Sequence, residues 1–463
     1  MKNKEKKVIS RMIDNAKKAM DQISDYSQQE VDELCNKIAS AAANKNNAQE
    51  IAELAVKETK MGVVDHKRIK ITKKVKGTWN DIKNLKSIGK IEENEKKKII
   101  KFAKPVGVVS GIIPVTNCEA TPPVKALFSL KAKNAIIFSP HPRSKKTSTK
   151  IVNLMRDVLE KSGAPADLLQ IIEEPSIELT NELMSQSDLV VATGGGSMVK
   201  AAYSSGTPAY GVGPGNAPII VDETANLKDA AEKIMNGKTF DNGTSCSTEN
   251  SLIVEESIYD NLIEELQTQG GYFTTKEEKK KLQDAFFVDG YHLNINLICR
   301  SAKTIADAAG IDISDEIKFF IVEENCVGKK HPYSGEKLSL ILTVYKYSGF
   351  ENALKRVEEI LRYQGLGHSC GIHSFDNNHI ERLGAFAPVS RIMVRQSQSY
   401  GNSGNWNNGM PFTLSLGCGT WGGNITTENI TLKHFLNITW VSKPIKADIP
   451  SEKELFDLKL TKK

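Results

Sequence analysis

Cys246 ends the stretch Lys-Thr-Phe-Asp-Asn-Gly-Thr-Ser-Cys at 238–246 and is followed by Ser-Thr-Glu-Asn and an apolar run. A cysteine attacks as its thiolate, which needs a lowered pKa or an aimed base, and backbone N–H groups at a helix start commonly supply part of this. The Asn-Gly-Thr-Ser turn places the thiol at an exposed connection, as a nucleophile requires. Six further cysteines stand at 35, 118, 299, 326, 370 and 418, and a buried structural thiol is the commoner fate of an unpaired cysteine. Residue chemistry alone therefore leaves Cys246 one candidate among seven. There is no CxxC and no Cys/His cluster at zinc spacing, so neither a disulfide framework nor a metal site is expected.

Three other segments carry groups that chemistry could use. Asn117, in Pro-Val-Thr-Asn-Cys after a predicted strand, could donate its amide to a developing oxyanion, although most loop asparagines only stabilise turns. Gly194, Gly195, Gly196 and Ser197 lie between a strand and a helix, where backbone N–H groups can approach a pyrophosphate. That run is neither a GxGxxG nor a Walker loop, and a tight strand-to-helix turn is the plainer reading. Gly-Val-Gly-Pro-Gly-Asn at 211–216 carries the same ambiguity. His368 and His373, in glycine-rich surroundings, read as structural histidines, Cys370 and Cys418 as structural thiols, and Glu249 as a helix or turn surface carboxylate.

The elements that must position these groups follow from periodicity. Val8, Met12, Ala16, Met20 and Ile23, then Val31, Leu34, Ile38 and Ala42, recur at helical spacing and predict two or three helices before Thr59. Apolar runs at 106–113, 134–139, 168–172 and 189–192 alternate with helical patterns, which predicts a doubly wound sheet with ligands at the carboxyl ends of its strands. A second α/β unit begins near 225, with strands predicted at 252–254, 319–322, 338–344, 371–373 and 392–394. Residues 400–423, rich in Gly, Asn and Ser, read as long ordered loops.

A chain of 463 residues suggests two or three domains. With 40% apolar and 25% charged residues it has an ordinary globular composition. The net charge of +6 is concentrated in lysine stretches such as 96–98 and 279–281, which read as solvated faces or, more sharply, as a field for polyanionic ligands such as nucleotides. Aromatics at 6%, with no basic patch interleaved among them, argue against nucleic acid. No apolar signal core and no run of 18 apolar residues occurs, so the expected address is the cytoplasm, with reduced thiols and no membrane contact.

Eight segments together are similar to the CoA-acylating branch of the aldehyde dehydrogenase superfamily. They are Pro-Val-Thr-Asn-Cys (114–118), Phe-Ser-Pro-His-Pro-Arg (138–143), Ala-Thr-Gly-Gly-Gly (192–196), Val-Lys-Ala-Ala-Tyr-Ser-Ser-Gly (199–206), Gly-Val-Gly-Pro-Gly-Asn (211–216), Lys-Thr-Phe-Asp-Asn-Gly-Thr-Ser-Cys (238–246), Gly-His-Ser-Cys-Gly-Ile-His-Ser (367–374) and Leu-Gly-Cys-Gly-Thr-Trp-Gly (416–422). They stand in the family's order across about residues 100–440. The branch includes enzymes for acetaldehyde, propionaldehyde, succinate semialdehyde and sulfoacetaldehyde.

The resemblance implies the aldehyde dehydrogenase fold, α/β with two doubly wound Rossmann-like domains and a small β oligomerisation element. It places an NAD-binding domain at 1–230, a catalytic domain at 231–423, and the oligomerisation element and tail at 424–463 with a contribution from 85–100. It implies NAD as cofactor and coenzyme A as cosubstrate, a homodimer or homotetramer, and for some members a bacterial microcompartment, for which the segment 6–23 would be an encapsulation peptide or, more simply, the first helix of the domain.

It further implies that Cys246 attacks the aldehyde, that Asn117 holds the oxyanion, and that Ser139, His141, Pro142, Gly194, Gly195, Gly196, Ser197, Gly213, Gly215 and Glu336 surround the dinucleotide. Hydrolytic relatives carry a water-activating glutamate where this chain has Gly213-Pro-Gly-Asn216. A thioester without a general base is left for a thiol acceptor, so acyl-CoA is the expected product. Two departures bear on detail. Leu340 stands where a proline commonly follows Glu336, and Cys118 replaces the proline that often follows the asparagine, which leaves room for a small anionic aldehyde beside acetaldehyde. The rivals are a non-acylating dehydrogenase giving the free acid, and a non-catalytic scaffold.

Overall fold

The computed structural model describes residues 2–456. Four helices open the chain: α1 (Lys2–Gln22), α2 (Gln28–Ala42), α3 (Lys45–Thr59) and α4 (Val64–Ile82). Ser27 and Glu30 form a reciprocal capping box that starts α2, and Asn44 caps α3, each satisfying N–H groups the helix leaves free. The buried stripe of α1 is Ile9, Ile13, Ala16, Ala19 and Ile23, one residue off the predicted one at its start, with Met12 and Met20 half-buried beside it. On α2 the expected Val31, Leu34, Ile38 and Ala42 are all buried.

Next come β1 (Gly89–Asn94), β2 (Ile99–Pro105) and β3 (Val108–Ile113), then α5 (Thr121–Lys131), β4 (Ala135–Pro140), α6 (Lys145–Lys161) and β5 (Leu169–Ile171). They are followed by α7 (Ile177–Gln186), β6 (Leu189–Thr193), α8 (Gly196–Tyr203) and β7 (Ala209–Val212). The strands from β3 to β7 form a five-stranded parallel sheet in the order β5-β4-β3-β6-β7. The winding direction reverses between β3 and β6, which opens a crevice at their carboxyl ends. β3 and β4 are buried throughout, which is why they read as unbroken apolar runs.

The second sheet begins at β8 (Ala217–Val221), and α9 (Leu227–Thr239) leads to β9 (Glu249–Glu255). It is completed by β10 (Gly271–Phe273), β13 (Phe319–Glu323), β14 (Ile341–Tyr347), β15 (Cys370–His373) and β16 (Ile392–Val394), while β11 (Phe287–Val288) and β12 (His292–Leu293) pair apart from it. Its order is β10-β13-β14-β9-β8-β15-β16, all parallel. The chain thus crosses between sheets at 213–216, ahead of the expected boundary at 230, because β8 already pairs with β9 and β15. Residues 436–442, as β17, return to pair antiparallel with β2, giving a separate sheet β1-β2-β17. No helix among the described residues is long and apolar enough to cross a membrane.

Candidate active site

The carboxyl ends of β3, β4, β6 and β7 face the amino ends of β9 and β14 across a cavity of about 360 Å³. Asn117, Ser139, His141, Pro142, Gly194, Gly195, Gly213, Cys246 and Glu336 all line it. Gly196 and Ser197 stand just beyond, at the exposed start of α8. Gly215 touches the site through its backbone, whose N–H donates to Glu336 Oε1 at 3.1 Å. A Cβ on Gly215 would lie 1.7 Å from the carbonyl oxygen of Cys246, so the crossing loop presses its main chain against that of Cys246.

Cys246 is delivered by a turn in which Asp241 and Asn242 adopt φ of 52° and 54°, the left-handed region that Asp and Asn tolerate best after glycine. The Asp241 carboxylate holds that turn, accepting from Val63 N at 2.9 Å, Lys67 Nζ at 3.2 Å, Lys70 Nζ at 2.6 Å and Thr244 Oγ1 at 2.7 Å. Burial pushes Asp241 up, but Lys67 and Lys70 outweigh it and hold the carboxyl at about 2.

His368 Nε2 lies 3.1 Å from Cys246 Sγ, and His368 Nδ1 lies 2.9 Å from Ser369 Oγ. Burial, reinforced by the Glu336 carboxylate, pushes the Cys246 thiol up to about 12, with Ser247 and Arg391 pulling the other way. Burial and then Arg391 push His368 down to about 3. The resting pair is therefore a thiol donating to a neutral imidazole, whose Nδ1–H donates to Ser369. Arg391 is 5% exposed and donates to the carbonyls of His368, Gly417 and Thr427 at 2.6–3.0 Å. Its charge favours the thiolate of Cys246 and disfavours a protonated His368.

The structure thus corrects the reading of His368 as a structural histidine: its ring lies against the Cys246 thiol. A glycine-rich turn gives no sign of a partner 122 residues away. His373 sits at the far end of β15. Glu249 is also corrected, from a surface group to a buried one that accepts from Gln398 N at 2.5 Å. It opens β9, a strand flanked on both sides in the sheet, and burial lifts its carboxyl to about 8.

Asn117 is half-buried on the turn after β3; its Oδ1 accepts from Lys70 Nζ at 2.8 Å and its Nδ2 lies 3.3 Å from Thr116 Oγ1. Burial raises Glu336 to about 8 against the pull of the Gly215 N–H and Lys337. Below that pH the carboxyl is neutral and leaves the thiol undisturbed; above it the carboxylate opposes thiolate formation. Glu336→Gln is accordingly expected to leave iodoacetamide alkylation of Cys246 unchanged at pH 6 and to speed it several-fold at pH 9. Equal rates at pH 9 would refute this coupling.

The opposite wall presents open main chain. Cβ atoms added to Gly195 or Gly196 meet nothing within 4 Å, so the main chain at the start of α8 is open to a phosphate, and the first N–H groups of a helix have no partner within it. His141 Nδ1 accepts from Arg143 N at 3.1 Å, while the Ser139 hydroxyl is engaged with Thr180 Oγ1 at 2.7 Å, so Ser139 offers its backbone and packing. One potential metal-ligating group is found among the described residues, Asp222, Glu223 and His379. It lies at the opposite, carboxyl end of β8, and Asp222 there already accepts from Thr224.

The model of the aldehyde dehydrogenase family matches residues 1–281. A sulfoacetaldehyde dehydrogenase of an Acholeplasma species is 51% identical over 453 residues, which are 97% of this chain and 93% of that protein. An acylating sulfoacetaldehyde dehydrogenase of Bilophila wadsworthia is 47% identical over 445 residues, 95% of this chain and 96% of the relative. The crystal structure of an acetylating aldehyde dehydrogenase from Geobacillus thermoglucosidasius superposes with a TM-score of 0.93 at 39% identity, covering 97% of this chain and 99% of that one.

Proposed function

The chain belongs to the aldehyde dehydrogenase family, and we propose that it converts a small anionic aldehyde, sulfoacetaldehyde, to its acyl-CoA through a thioester on Cys246. The reaction class is CoA-acylating aldehyde oxidation with a nicotinamide dinucleotide. The observation that carries the residue assignment is the Cys246–His368 contact of 3.1 Å, set on the same cavity as the Asn117 amide and the open glycine turn.

In this reading Cys246 Sγ attacks the carbonyl carbon while His368 Nε2 takes the thiol proton. Transfer from a thiol near 12 to an imidazole near 3 is unfavourable on its own, so it proceeds with formation of the S–C bond and not ahead of it. Asn117 Nδ2 and the Cys246 N–H receive the oxyanion. The bound dinucleotide supplies a hydride acceptor. The imidazolium gives that proton up to solvent, as a ring held at about 3 does readily; when the CoA thiol then attacks the thioester carbonyl, the same imidazole is placed to take its proton, the acyl group passes to the CoA sulfur, and Cys246 leaves as the thiolate and is reprotonated by the imidazolium. Ser139, His141, Pro142, Gly194 to Ser197, Gly213, Gly215 and Glu336 surround the dinucleotide.

The choice of aldehyde is supported by the two relatives named above, at 51% and 47% identity. Among the described residues Glu336 is the one carboxylate lining the cavity, and near pH 7 it is largely neutral, so it does not oppose an anionic aldehyde. With CoA and NAD, kcat/KM for sulfoacetaldehyde is expected to exceed that for acetaldehyde and propionaldehyde by at least about tenfold, about 1.4 kcal/mol of discrimination. Preference for the neutral aldehydes would overturn the assignment.

The sheet β1-β2-β17 exposes Ile438, Trp440 and Val441. A homodimer or homotetramer built on that sheet would cover them. α1 packs its apolar stripe on α7, with Ile9 and Ala16 fully buried, which supports the ordinary first helix over an encapsulation peptide and a cytoplasmic address over a microcompartment.

A further inference from the structure

We propose that Lys70, on α4, is the positioning residue that turns the Asn117 amide so that its Nδ2 is the end available to the oxyanion. The inference rests on the reading of Asn117 as oxyanion donor. A carboxamide has two ends of nearly equal shape, and its environment decides which way it faces. An ammonium has donors and no acceptor, so the end of Asn117 held 2.8 Å from Lys70 Nζ is the oxygen. Nδ2 is thereby directed away from α4. Without Lys70 the half-buried amide is free to present its oxygen, which repels an oxyanion.

The ammonium is itself fixed. Besides Asn117 it meets Asp241 Oδ2 at 2.6 Å, Glu119 Oε1 at 2.9 Å and Thr244 Oγ1 at 3.3 Å. Lys67 bonds the same two carboxylates, at 3.2 Å and 3.5 Å, and the Thr116 carbonyl at 3.3 Å. The side chains of Lys67, Glu119 and Asp241 are 0% exposed and that of Lys70 is 6%. Two lysines and two carboxylates thus form a closed, neutral cluster, the arrangement in which buried charge is tolerated. It joins α4 to the turn bearing Asn117 and to the strained turn bearing Cys246. One network therefore sets both the donor and the nucleophile, and Lys70 is the member that touches both turns by side chain to Asn117 and Thr244.

The test uses Lys70→Met, Asn117→Ala, the double variant, and Lys70→Met/Glu119→Gln, in which the ammonium is removed without leaving an excess buried carboxylate. Steady-state NADH formation is measured with saturating CoA, alongside iodoacetamide alkylation of Cys246 followed by peptide mass, a reaction that develops no oxyanion. Asn117→Ala and Lys70→Met should each lower kcat about 100-fold, the scale for one oxyanion donor, with KM for the aldehyde little changed. The double variant should fall no further than Asn117→Ala alone, and the charge-balanced variant should match Lys70→Met. Alkylation should stay within about twofold of the parent in all four.

If Asn117→Ala keeps its rate, the oxyanion reading itself fails. If Asn117→Ala loses activity while Lys70→Met does not, or the two losses multiply, Lys70 has no hold on the amide. Parallel loss of alkylation and turnover in the charge-balanced variant would show that Lys70 holds the Cys246 turn and not the amide.

Discussion

Replacing Cys246 with alanine should lower NADH formation by about 10⁴-fold or more, the scale on which a lost nucleophile removes covalent catalysis, while the protein still folds and still binds dinucleotide. The stability cost is small because the change removes one sulfur atom at the cavity wall and deprives one ring nitrogen of one weak donor, about 1 kcal/mol. Serine should not rescue activity, since a hydroxyl gives up its proton far less readily than a thiol that burial has already lifted to about 12. The rival thiol is Cys418, which lies behind Gly213, with its Sγ 3.8 Å from where a Cβ would stand there. Its Sγ donates to the Leu416 carbonyl at 3.5 Å and it is fully buried, with no imidazole against it among the described hydrogen bonds. Stopped-flow absorbance at 340 nm with excess aldehyde, NAD and CoA checks the outcome. Retention of more than about 1% of the parent rate by Cys246→Ala would move the chemistry to another thiol.

Much of the dinucleotide wall was legible because its cues are local. Strands buried on both faces read as apolar runs, and Gly194 to Gly196 follows one of them directly. The carboxyl-end rule then places Asn117, His141 and the glycines on one rim. The other wall was not legible, for three separate physical reasons. Glycine-rich segments at 209–221 hid β7 and β8, so the crossing between sheets came earlier than expected. His368 meets Cys246 only because β15 and β9 both flank β8, an arrangement no local pattern encodes.

α4 carries so many lysines that it resembles a solvated segment, yet Lys67, Lys70 and Lys74 face inward. Lysine is so seldom buried that a single sequence offers no reason to expect it. Glu249 failed in the same way, as a carboxylate whose burial follows from its strand's place in the sheet. The resemblance supplied Cys246 and Asn117; it did not supply the groups that hold them.

Without coenzyme A, NADH formation should stop after about one equivalent per Cys246, with the acyl group retained on the sulfur. Release to water requires a base to remove its proton, and the described cavity lining carries no carboxylate that is mostly ionised near neutral pH. The crossing loop cannot hold one at position 215, because any side chain there would run into the Cys246 carbonyl. Glu336 is the one cavity carboxylate; it is occupied by the Gly215 N–H and lifted to about 8. Below that pH it is protonated and cannot activate water. Above it the carboxylate forms, so a slow hydrolytic leak should rise with pH through about 8 and disappear in Glu336→Gln.

His368 does not substitute, since at about 3 it is too weak a base to deprotonate water. A CoA thiol is far more acidic than water and needs less help, so the thioester waits for it. The burst amplitude, set against titrated Cys246, and an intact-mass shift equal to the acyl group measure this directly. Continuous NADH formation at pH 7 without CoA, at a rate near that with CoA, would make the protein a hydrolytic dehydrogenase and require a water-activating base other than Glu336.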